Sequence, residues 1–127
     1  MKEFMLLIRQ EPNHVGAMSS EQKQEFLLKV QAYIGNLMKE GKLKSAQPLV
    51  SQGKMISGHK GAFKDGPFNE SKELIVGYYH IVANDLDEAV AIAKGNPELE
   101  YTKTARIEVR PIKMIEESIG FEYPNKA

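Results

Sequence analysis

The sequence contains no cysteine. Disulfides, thiolate metal sites and cysteine nucleophiles are therefore excluded. It also lacks an excess of either charge: 17 Lys and Arg balance 17 Asp and Glu, for a formal net charge of zero. The two signs are interleaved, so the basic stripe of a nucleic-acid binder is missing. No apolar run approaches the roughly 20 residues needed to cross a bilayer. The run Phe4 to Ile8 is too short for a signal peptide and is closed by Arg9. The expectation is a cytoplasmic protein with neither membrane nor nucleic acid as a partner.

Cofactor motifs are missing as well. No Gly-rich loop follows a strand and opens a helix, so nucleotide binding has no support. The histidines His14, His59 and His80 show no HxH or HxxxH spacing, and neither a metal nor any other cofactor is expected. No Ser–His–Asp arrangement follows from spacing.

What is present is a chain of 127 residues, 42% hydrophobic and 27% charged, the size and balance of one globular domain. Residues 3–10 read as a strand, and the continuous apolar run within it asks for cover on both faces. Ser19 or Ser20 caps a helix whose stripe is Phe26, Leu27, Val30, Tyr33, Ile34, Leu37 and Met38, and Gly41 ends it. Residues 42–50 form an edge strand at best, because Pro48 cannot donate to a ladder. Residues 54–58 and 61–64 pair around Gly58-His59-Lys60-Gly61, and Asp65-Gly66-Pro67 then reads as a turn, with Phe68 beside it to lodge against the core or a partner subunit.

Residues 73–83 are the strongest strand, apolar in both parities, and Gly77 within it marks a close approach of another group. Asn84 or Asp85 caps a second helix, Leu86 to Lys94, stopped by Gly95-Asn96-Pro97. After a loop, residues 104–112 form the last strand. Residues 1–113 make the domain, and 114–127 a tail with a short turn of helix. The order β-α-β-β-α-β predicts an α+β, ferredoxin-like fold: a four-stranded antiparallel sheet with both helices on one face.

Two helices cover one face only. The first strand and the strand at 73–83 are apolar on both, so a second copy is expected over the open face, as a homodimer. The alternatives are that the tail folds over that face or that it is less buried than the pattern implies. Ile107 and Val109 suit the helix side, which turns Arg106, Glu108 and Arg110 the other way. If His80 and Tyr78 share that side, titratable groups gather where two sheets meet, the make-up of a small-molecule pocket.

The stretches Asp65-Gly66-Pro67-Phe68, Lys72-Glu73, Gly77-Tyr78-Tyr79, Asp85-Leu86-Asp87-Glu88-Ala89 and Val109-Arg110-Pro111-Ile112 resemble the YCII-related family, and more closely its DGPF branch. The opening Phe4-Met5-Leu6-Leu7-Ile8 and the helix exit Gly41-Lys42-Leu43 also fit, so the resemblance spans roughly residues 3 to 112. It implies a subunit of the dimeric α+β barrel type. Some YCII relatives resemble small-molecule enzymes, including a dehydrochlorinase of aromatic degradation, that use a His–Asp pair. The histidine those relatives carry in the first helix has no counterpart among Phe26 to Met38. Some DGPF relatives resemble partners of sigma-factor-type regulators.

The candidate catalytic residues are Asp65 and His80. Asp65 is either a pocket base or a side chain bonding its own turn. His80, in mid-strand, is either an acid–base group or a core histidine satisfied by hydrogen bonds. The candidate ligand-binding residues are Arg9, Glu73, Tyr78, Glu108 and Arg110. Either arginine could hold an anion in a bidentate fork or serve an ion pair. Glu73 could pair with Asp65, or lie exposed at a strand end. His59 reads as a solvent-facing hairpin residue and His14 as a loop residue. Three functions follow: a dimeric domain binding a small anionic or aromatic molecule, an acid–base enzyme acting through Asp65 and His80, and a regulatory interaction module.

Overall fold

The computed structural model describes residues 1–11, 14–66 and 73–125. The fold is organised around β1 (Lys2–Gln10), in which Phe4, Leu6, Ile8 and Gln10 are buried while Glu3, Met5, Leu7 and Arg9 are half-buried. That period of two puts the first set on the core face and the second on the other. β5 (Leu74–Ala83) pairs antiparallel with one edge of β1 and β6 (Arg106–Pro111) with the other, while β2 (Leu43–Pro48) pairs with the outer edge of β5. The sheet order is β2-β5-β1-β6.

α1 (Ser20–Lys39) and α2 (Leu86–Lys94) lie on the core face. Leu37 of α1 and Ala89 and Ala93 of α2 join Phe4, Leu6, Ile8, Tyr79, Ile81 and Ala83 in one buried cluster. α1 begins with a capping box: the Ser19 hydroxyl accepts from the Gln22 amide at 3.2 Å and the Gln22 side chain accepts from the Ser19 amide at 3.2 Å. It ends where Gly41 takes a φ of 71°, a conformation glycine adopts without strain. Asp85 caps α2 by accepting from the Glu88 amide at 2.8 Å.

The stripe of α1 is narrower than the sequence suggests. Phe26 and Leu37 are buried and Val30, Tyr33 and Ile34 half-buried, but Leu27 and Met38 are exposed. Each stands one residue past a buried position, a rotation of about 100° away from the sheet.

Other elements depart further. Lys64–Gly66 is a strand, β4, and Asp65 pairs with Ile56 of β3 (Met55–Ser57) instead of sitting in a turn. The remainder of the expected turn, Phe68 included, lies outside the described residues. A four-residue helix, α3 (Glu98–Tyr101), follows Pro97 where a loop was expected. The tail forms a hairpin, β7 (Ile115–Glu116) with β8 (Phe121–Glu122), and not a helical turn. Phe121 and Tyr123 stack edge to face at 5.1 Å, and the Tyr123 hydroxyl donates to Glu116 at 2.6 Å. No helix among the described residues is long and apolar enough to cross a membrane.

The β1–β5 register slips at one point: Ile8 faces Gly77, but Arg9 faces Ile75. Val76 is the extra residue of this bulge, and it packs against the core. Gly77 beside it meets β2 closely. A Cβ there would stand 3.1 Å from the Gln47 carbonyl oxygen and 3.3 Å from the Pro48 Cα. Gly77→Ala must push β2 outward, and it will destabilise the fold by about 1–3 kcal/mol, as overpacked sites do. A lowered urea midpoint at unchanged m-value checks this.

Candidate functional site

A cleft of about 200 Å³ opens between α1 and the sheet. Phe26, Val30 and Ile34 of α1 form one wall, and Ile8, Val76 and Tyr79 of the sheet face them. α1 reaches this position because Leu37 anchors its C-terminal half in the core, while its N-terminal half carries only Phe26 to the buried layer. The bulge turns Val76 into the same space.

One part of the wall is polar. His14, in the segment before α1, sets its Nε2 3.1 Å from Glu98 Oε2 and 3.2 Å from Oε1. The two side chains are only 12% and 14% exposed. A carboxylate accepts only, so Nε2 carries the hydrogen and, in the neutral ring, Nδ1 is left as an acceptor. Glu98 Oε2 has no hydrogen bond of its own. Asn96, buried, holds Glu98 in place: its side-chain oxygen accepts from the Glu98 amide at 2.9 Å. Tyr79 and Tyr33 stand beside this pair, edge to face at 5.5 Å, with the Tyr33 hydroxyl donating to the Ile92 carbonyl at 2.6 Å. Burial raises the pKa of both phenols, and at Tyr79 the charge of Glu98 raises it further. Both remain neutral hydrogen-bonding groups at physiological pH.

The residues singled out from sequence lie elsewhere. Asp65 is exposed on the small β3–β4 sheet, and the carboxylate against His80 is that of Glu3. His80 stands on the open face of the main sheet, its Nε2 2.6 Å from Glu3 Oε1. That oxygen also accepts from Asn125 at 2.7 Å and meets Lys44 Nζ at 3.2 Å. Burial pushes the Glu3 pKa up, but the bonds from Asn125, His80 and Lys44 outweigh it and hold the carboxyl below its ordinary value.

Arg9 lies 3.1 Å from Glu108, whose other oxygen is 3.7 Å from Arg110 Nε. Glu73 accepts from Arg106 Nε at 3.1 Å. The register places Arg106, Glu108 and Arg110 on the open face, as expected, with Arg9 beside them, and thus away from the cleft. Of the five ligand-binding candidates only Tyr78 also borders the cleft. Among the described residues no group of three or more His, Asp or Glu is placed to hold a metal.

His14 and Glu98 were missed because they are 84 positions apart and no spacing joins them. The available signal was Pro97 followed by Glu98. Proline suits the first positions of a helix and an acidic residue its first turn, so a short helix could have been read there.

Four antiparallel strands in the order β2-β5-β1-β6, with helices over one face, define an α+β protein of ferredoxin-like type. The family model of the YCII-related domain matches residues 2–115, and the chain belongs to that family. No curated protein matches it significantly.

Proposed function

We propose that this YCII-related chain binds a small aromatic or otherwise apolar molecule carrying one polar or anionic group, in the cleft under α1. The observation that carries the reading is a half-buried His–Glu pair in the wall of an apolar cleft, the usual composition of a small-molecule site: apolar walls and a few placed polar groups. The apolar body lies between Val30 and Val76, and its polar group meets His14.

Thermal shift against a panel of phenols and aromatic carboxylic acids tests it. A ligand at 100 times its Kd stabilises the folded state by about 2.7 kcal/mol, a rise of several degrees in Tm. Val30→Trp fills the cleft and will abolish that rise, and His14→Ala will reduce it. No stabilisation by any member of the panel, or full stabilisation of V30W, overturns the reading.

The same pair favours a second reading, an acid–base enzyme. Glu98 fixes the imidazole and leaves Nδ1 to take a proton from a substrate. His14 and Glu98 then replace the Asp65 and His80 pairing, and His14, just upstream of α1, supplies the histidine that α1 itself lacks. The proposal extends to assembly: a cytoplasmic homodimer of the DGPF branch, joined across the open face. Half-buried Met5, Leu7, Tyr78 and Val82 offer the apolar contact, and Arg9, Glu73, Glu108 and Arg110 the ion pairs. Sedimentation as a monomer at micromolar concentration would remove the dimer.

A further inference from the structure

A second cavity, of about 250 Å³, adjoins the cleft under α1. Its own walls are Leu49, Val50, Leu74 and Ile75, with Gly16 and Ser51. The rest of its lining includes His14, Val15, Pro48 and Val76, and these four line the first cleft too. His14 is the only titratable side chain among the described residues common to both. Leu49 and Val50, at 48% and 80% exposure, form an apolar lip that nothing in the described chain covers.

We propose that the two cavities are compartments of one site, and that its ligand is a two-part molecule: two apolar or aromatic groups joined by a short polar bridge that passes His14. The inference rests on the cleft reading above and adds the class of ligand. Size supports it, since an apolar cavity of about 150 Å³ accommodates benzene, so each compartment takes one ring. Chemistry supports it too. Both flanks are mainly apolar, and His14 stands where they meet, so the ligand's polar atoms belong in its middle. A one-ring ligand leaves one compartment wet. A two-ring ligand desolvates both, with its two halves tied together so that the second is held in place by the first. Val76 acquires a structural meaning here: the bulge stations it on the wall shared by the two compartments.

The test uses N-phenylbenzamide, whose amide joins two rings, against its one-ring halves, benzamide and acetanilide, by calorimetric titration of the full chain. N-phenylbenzamide will bind at least tenfold tighter than either half. Leu49→Trp and, independently, Ile75→Trp crowd the second compartment from partly exposed positions. Each will remove the tenfold gain, so that N-phenylbenzamide binds the variant no more tightly than the better half does. Circular dichroism confirms that both variants fold. If a half binds but N-phenylbenzamide binds no tighter, or if both variants keep the gain, the two-compartment site is overturned and the cleft reading stands. If neither half nor N-phenylbenzamide binds the wild type, both fail together.

Discussion

Truncating Phe4 to alanine will lower the free energy of unfolding by about 4 kcal/mol, the usual cost of removing a buried aromatic ring from a core. Phe4 is 1% exposed and sits on the central strand, flanked by Ile81 on β5 and Pro111 on β6. Neighbours on both sides belong to hydrogen-bonded strands, so the sheet cannot close over the void and the cavity term adds to the lost transfer energy. A domain of this size has a total stability of about 5–15 kcal/mol, so the variant loses a large part of it. Urea unfolding followed by circular dichroism measures the effect. Leu28→Ala on α1 is the control: that side chain is 66% exposed, and its removal will change stability by under about 0.5 kcal/mol. Equal losses from the two substitutions would contradict the placement of the core.

The reason Phe4 matters was legible in the sequence. Alternation cannot be seen in a run such as Phe4-Met5-Leu6-Leu7-Ile8, yet the run itself identifies a central strand, and the structure places it between two others. Capping residues narrowed each helix start to two neighbouring positions, because Ser19 and Asp85 do their work within three residues of themselves. The assignment of Ile107 and Val109 to the core face, and of Arg106, Glu108 and Arg110 to the other, followed from the period of two. Gly77 announced a close approach, and the Gln47 and Pro48 backbone makes it.

The site was not legible in the same way. His14 and Glu98 meet only because the segment that follows β1 comes to the start of α3, and nothing local says so. The bulge at Val76 is a departure from periodicity, and periodicity was the tool. The Asp65–His80 pairing followed from the prominence of two polar residues near strong elements. The fold puts Asp65 on its own small sheet, and Glu3 from the neighbouring strand faces His80. Signals that act over one turn or one strand were readable, and those that need a register or a crossing were not.

Glu3 is where such a register-dependent cluster has the largest measurable consequence. Its carboxylate is 14% exposed and holds His80, Lys44 and Asn125 at once. Glu3→Gln keeps the size but removes the charge, and it will cost about 2–3 kcal/mol at neutral pH, the range for losing charge-assisted bonds at a largely buried position. The pH dependence distinguishes this from a packing defect. The folded-state pKa of Glu3 is lowered, so the folded chain binds its proton less readily than the unfolded chain does. Its stabilisation is therefore complete above the unfolded value, about 4.3, and is lost as pH falls through the lower folded value. The gap between wild type and E3Q will narrow as pH falls below about 4.3. Asn125→Ala removes one of the three bonds that lower the folded pKa, so in that background the gap will be smaller and its narrowing will end at higher pH, while the onset, set by the unfolded chain, stays in place. A gap that stays constant down to pH 3 would show that the Glu3 charge contributes nothing and that E3Q acts through shape alone.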